Sequence, residues 1–205
     1  MRKNHVFAGV VLIAVAMLAV GCAKPPQPEI DAAKAALAAA EQAEAGKYAP
    51  EALDTASQAM NAVNAELQAQ EAKFALFRSY TKTKQLLADA QKAADDAKQA
   101  AVEGKEKAKN EARAAIDAVK GVVDSTTQFM DNLGKCPRKP KDFRKDMEML
   151  KGNLDGYATQ VNDLEGAFSR EDYLGAKAQA DSLKGQVDQL MNDLTAAKDK
   201  IRCKF

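Results

Sequence analysis

From Ile30 to Ile201 apolar residues recur every three or four positions, and no stretch shows the β-branched alternation of a strand. This spacing predicts helices throughout, divided wherever the phase breaks. The first is expected over Glu29–Ala45, opened by Pro28, with Glu29 and Asp31 in a first turn that favours acidic residues. Gly46 is its expected C-terminal stop, and Pro50 presets the first turn of the next helix. The second helix has the seam Leu53, Ala56, Met60, Val63, Leu67, Gln70, Phe74 and Phe77, spoiled only by Gln70. The phase fails after Phe77, so Arg78-Ser79 is either a turn or a slip within one very long helix.

A third helix follows on the seam Tyr80, Leu87, Ala90, Ala94, Ala97, Ala101 and Gly104. It slips after Ala108, continues on Ala112, Ala115, Val119, Val122, Thr126, Phe129 and Leu133, and stops at Gly134. Pro137 and Pro140 exclude helix interior from Cys136 to Lys141. The fourth seam is Phe143, Met147, Leu150, Leu154, Tyr157, Val161, Leu164 and Phe168. The fifth is Tyr173, Ala176, Ala180, Leu183, Val187, Leu190, Leu194, Ala197 and Ile201. Both are unbroken threes and fours. Between them, Ser169 followed by Asp172 resembles a capping box with Asp in place of Glu.

The expected fold is all-α. It is an elongated antiparallel helical bundle: two three-helix bundles, residues 29–104 and 105–205, share one long central helix. From Tyr80 to Leu133 that helix would extend about 80 Å at 1.5 Å per residue. A tight turn at Ser169 makes the last two helices a hairpin, with Cys136 and Cys203 meeting at its open end.

Composition narrows the function. Without Arg2 and Lys3 the chain carries 28 basic and 29 acidic residues, a balance that argues against general nucleic-acid binding. The only His is His5, and Trp is absent. Beyond residue 21 the commonest general base is therefore missing, and no Gly-rich phosphate loop, Gly-x-Ser-x-Gly or HExxH occurs. Neither an enzyme nor a bound cofactor or metal is expected.

The start of the chain specifies an address. Arg2 and Lys3, the mostly apolar run Val6–Val20 and the small residues before Cys22 describe a secretory signal too short to be a transmembrane helix. Ala19-Val20-Gly21-Cys22 resembles the lipobox of bacterial lipoproteins, with Ala19 where Leu is usual. The resemblance implies a signal peptide over residues 1–21 and a lipidated Cys22; a plain signal followed by a free Cys is the alternative. In a Gram-negative source, Ala23 after the Cys implies an outer-membrane address facing the periplasm. Pro25, Pro26 and Pro28 form an expected spacer over residues 22–28. With Cys22 assigned to lipid, Cys136 and Cys203 are an even pair in an oxidising compartment, and a disulfide is expected over two free thiols.

Residues from about 30 to 101 resemble an Ala-rich helical domain of unknown function found in Gram-negative envelope lipoproteins. The features carrying it are the Gly46-Lys47-Tyr48-Ala49-Pro50 turn, Leu53 with small residues every three or four positions, and Phe77-Arg78-Ser79-Tyr80 followed by Leu86-Leu87-Ala88-Asp89-Ala90. It implies a membrane-anchored, periplasmic, non-catalytic protein and no established site. Val187-Asp188-Gln189-Leu190 also resembles the murein lipoprotein, but Lys204-Phe205 replaces the terminal Lys used there for covalent attachment to peptidoglycan.

One local feature departs from the balanced charge. Lys135, Arg138, Lys139, Lys141, Arg144 and Lys145 crowd the loop after the third helix, and Lys200, Arg202 and Lys204 end the fifth. The disulfide would join them into a basic tip at the distal end of a rod. There it would contact an anionic partner: peptidoglycan carboxylates, an acidic envelope protein or lipid phosphate. A purely structural reading also exists, since basic residues near helix C-termini complement the dipole. The favoured function is a lipid-anchored structural or adaptor lipoprotein. The alternative is a periplasmic chaperone-like module that binds a hydrophobic or protein client in a groove.

Overall fold

A computed structural model describes residues 23–205. The expected signal peptide over residues 1–21 and the expected lipidation site Cys22 lie outside the described residues. Every regular element among those described is helical: α1 (Gln27–Gln42), the single turn α2 (Ala45–Tyr48), α3 (Pro50–Glu71), α4 (Thr81–Gly134), α5 (Phe143–Ser169) and α6 (Tyr173–Ile201), with one 3-10 turn at Ala75–Phe77 between α3 and α4. The chain divides into two compact units, the first ending at Val102 and the second running from Glu103 to Phe205. The 54-residue α4 is continuous and contributes a helix to each.

In the first unit, α1, α3 and the start of α4 share two core clusters. Ile30 and Ala33 meet Met60, Val63, Leu87 and Ala90 in one. Ala40 and Ala45 meet Ala56, Ala94, Ala97 and Ala101 in the other. The residue order in these clusters makes α3 antiparallel to both α1 and α4. The second cluster consists of alanines alone, all with at most 1% exposure, so small side chains here serve close helix approach inside the fold.

The second unit follows the same logic. Along α4, Lys105 reaches Glu171, Arg113 reaches Glu165, and Met130 shares a cleft with Met147, so α4 and α5 run antiparallel. Returning beside α5, α6 buries eight of its nine seam residues, with Ala197 half-buried. Cys136 and Cys203 are joined by a disulfide, their Cα atoms 5.9 Å apart. The expected all-helical fold, long central helix and disulfide-closed hairpin are all present.

Several expectations need correction. The first helix starts at Gln27, taking Pro28 into its first turn, and ends at Gln42 rather than Ala45. Gly46 is not the stop. The reversal falls on Glu44, in the left-handed region at φ 61°, which buries Ala45 in the alanine core and leaves Gly46 inside α2. Nor does the second helix reach Phe77: α3 ends at Glu71, and Phe74 and Phe77 leave the seam for solvent. Arg78-Ser79 belongs to a true turn, which polar bonds fix. The Arg78 guanidinium donates to the carbonyls of Glu71 (2.8 Å) and Lys73 (3.1 Å) at the end of α3. Buried Gln70 accepts from the Ser79 amide (3.0 Å) and donates to Glu66 (2.7 Å). The residue that spoiled the seam is the one that ties the turn.

In the second half of α4 the buried stripe is Ala108, Ala112, Ile116, Val119, Val123, Thr126, Met130 and Leu133. Ala115, Val122 and Phe129 are only half-buried. After Ala108 two further steps of four displace the stripe by one position, as a stutter does, and the three-four pattern alone could not say which neighbour faces inward. The capping box is also corrected. Ser169 is the last residue of α5; Asp172 caps α6, accepting from the Gly175 amide at 3.3 Å after Glu171 turns the chain at φ 62°.

Candidate functional site

The loop after α4 and the end of α6 are drawn together by the Cys136–Cys203 disulfide. A cleft of about 330 Å³ is lined by Cys136, Pro137, Arg138, Ile201, Arg202 and Cys203, which places Arg138 and Arg202 around one opening. A second, of about 180 Å³, includes Lys135 and Lys204 together with Asn132 and Phe205. Lys139, Lys141 and Lys145 are exposed beside them but line neither cleft. Arg144 departs from the expected group. It lines a separate cleft with Met130, Met147 and Lys151, and its guanidinium lies 3.9 Å from the Glu148 carboxylate.

The charge at this end is concentrated. Residues 135–145 and 198–205 together hold ten Lys and Arg against Asp142 and Asp199 alone. From Cys22 onward, the rest of the chain holds 18 basic and 27 acidic residues, so the near-neutral total conceals two opposite populations. Among the described residues, ion pairs form along the helices and leave Lys135, Arg138, Lys139, Lys141, Lys145, Arg202 and Lys204 without a carboxylate within 4.0 Å.

The helix dipole explains only part of this. Lys198 and Lys200 lie in the last turn of α6, where a cation is favoured. Arg144 and Lys145 lie in the first turn of α5, where the dipole opposes them. Fold stability therefore does not account for the basic run as a whole.

The periodicity did not reveal a contact that buttresses this end. Lys198 lies over the rings of Phe205 (4.5 Å) and Phe129 (5.7 Å), and the two rings meet edge to face at 5.1 Å. Lys198 also donates to the Phe205 carbonyl at 3.4 Å. Phe129 looked like a seam residue in the sequence; its ring instead helps hold the last residues of the chain against α4.

A second polar cluster lies farther along the same unit. Glu165 accepts from Arg113 at 2.9 and 3.0 Å and from Lys120, while the Arg113 guanidinium stacks 4.0 Å from the Phe168 ring centre. Hydrogen bonds from Lys120 first and Arg113 second hold the Glu165 carboxyl below its ordinary range. Near the α5–α6 turn, Lys105 meets Glu171 at 2.6 Å and lowers that carboxyl too. These pairs join α4 to the hairpin and hold each carboxylate against a cation of α4, so they form a brace.

No described group of three or more His, Cys, Asp or Glu could hold a metal ion, and no described helix is long and apolar enough to cross a membrane. Comparison with known proteins found no matching family model, no matching curated protein and no matching solved structure.

Proposed function

We propose that this chain is a lipid-anchored envelope lipoprotein with a non-catalytic adaptor role. Acylation at Cys22 would hold it to the membrane, and the basic end of its C-terminal hairpin would contact an anionic partner. The observation that carries the partner reading is the unpaired charge around the disulfide, part of which opposes the dipole of its own helix. The lipobox-like Ala19-Val20-Gly21-Cys22 supports the anchor, and the disulfide suits an oxidising compartment. The resemblance of residues 30–101 to an Ala-rich envelope-lipoprotein domain agrees with the same setting.

Peptidoglycan carboxylates or an acidic envelope protein fit the exposed ammonium and guanidinium groups of Arg138, Lys139, Lys141 and Arg202. The deciding measurement is co-sedimentation with isolated peptidoglycan, at low and high salt, beside a variant with Arg138, Lys139 and Lys141 changed to Gln. Binding that salt and the variant both reduce supports a non-covalent bridge between membrane and wall. Equal sedimentation of both proteins rules out a contact through these residues. The client-binding alternative would need open apolar seams, and within each unit the seams are filled by their own helices.

A further inference from the structure

We infer that the turn Phe74–Phe77 is a membrane-interface wedge, which seats the first unit on the bilayer to which Cys22 tethers it; this rests on the reading of Cys22 as acylated. Phe74, Leu76 and Phe77 are 69%, 63% and 75% exposed. The two Phe rings lie 6.4 Å apart, so these large apolar side chains form one patch. The molecule spends polar bonds to present it: Arg78 folds back onto the end of α3 and Gln70 holds Ser79, which keeps the turn closed while its rings face solvent. Three adjacent exposed apolar side chains on a fixed turn call for an apolar partner phase.

The bilayer is that phase because of where the turn lies. The core clusters pair the start of α1 with the end of α3 and the start of α4, so the α3–α4 turn shares an end of the unit with the chain entering from Cys22. Glu29 and Lys84 meet at 3.1 Å across that end. Pro26 is already buried, and only four peptide steps separate it from Cys22, a reach of at most about 14 Å. A lipid on Cys22 would keep this end within a headgroup layer of the bilayer. Lys73 and Arg78 bracket the rings in the chain with positive charge, suiting an anionic surface around an apolar insertion.

The chain contains no Trp, so a single introduced one reports alone. Phe77→Trp and, as a second reporter in the same turn, Leu76→Trp are compared with Met149→Trp, an exposed position in the other unit. Each full chain is recovered from membranes of an expressing Gram-negative host, and the mass at Cys22 reports acylation. It is then reconstituted into phosphatidylglycerol-containing vesicles with or without brominated acyl chains. The expected result is a blue shift and bromine quenching at positions 76 and 77 and neither at 149. An acylated chain whose turn reporters stay unshifted and unquenched overturns the wedge while the anchor stands. If Cys22 is not acylated, coupling its thiol to a maleimide-bearing lipid supplies the tether. Quenching in the coupled chain upholds the wedge although the anchor has failed, and its absence overturns both. Quenching retained in purely zwitterionic vesicles assigns the insertion to the rings and not to Lys73 and Arg78.

Discussion

Arg113 and Glu165 face each other with the guanidinium 2.9 Å from one carboxylate oxygen and 3.0 Å from the other, while the same guanidinium covers the Phe168 ring. Lys120 shares that carboxylate. Two cations on one anion, packed on an aromatic face, lock α4 to α5 at a single register.

This brace makes the second unit acid-sensitive. Glu165 has a lower pKa folded than unfolded, so its contribution is fully present above the ordinary value of 4.5 and is lost as pH falls below that toward the folded value. Glu165→Gln should cost about 1 kcal/mol at neutral pH, since its side chain is 31% exposed, and should flatten the loss of stability below pH 4.5. Urea midpoints of both proteins across that range check this; parallel acid limbs would contradict it.

Opening the Cys136–Cys203 bond should loosen the whole hairpin. The bond closes a loop with a sequence separation of 67, for which chain entropy gives a stabilisation of about 4 kcal/mol as a ceiling. Replacing both cysteines with Ser should lower the unfolding free energy of the second unit by a large part of that amount. Denaturant titration of the oxidised protein against the double variant measures it. Any binding to the proposed anionic partner should weaken as well, because Arg138 and Arg202 would no longer be held around one cleft.

Gln70 should be intolerant of truncation. Gln70→Ala removes the acceptor for the Ser79 amide and the donor to Glu66, at a cost of about 1–3 kcal/mol. Hydrogen exchange should accelerate first at Ser79 and its neighbours in the turn; protection unchanged there would show that the bond does not hold the turn.

The alanine core should refuse larger side chains. Ala97 has no exposed surface and faces alanines on α1 and α3. Ala97→Leu should destabilise the first unit by about 1–3 kcal/mol through overpacking, whereas a Leu at the exposed Ala88 should be nearly neutral. Thermal melts of the two variants separate a buried helix contact from an exposed partner surface.

Much of the fold was legible in the chain because helical periodicity is local. Threes and fours located α3, α5, α6 and the buried face of the first half of α4; Pro50 marked a start, and the two prolines after Cys136 marked a loop. What pattern left open was where an apolar residue points once its helix ends. Phe74 and Phe77 keep the spacing of the seam, yet the backbone departs at Glu71 under bonds from Gln70 and Arg78. Phe129 keeps it too, and packs on Phe205 instead. The reversal at Glu44 was hidden behind a more suggestive Gly46, because burial of Ala45 outweighs the usual preference for glycine in the left-handed region.

The sequence by itself determined that the chain is helical, where its long helices run, that Cys136 and Cys203 can meet, and that its charge is uneven. Those properties follow from residue spacing and composition, which neighbours on the same helix decide. Only the tertiary structure decided which face of α4 is buried past Ala108, which basic residues share a cleft, and which aromatic rings are left in solvent. Each depends on two helices meeting at one register, a long-range relation that no local spacing contains.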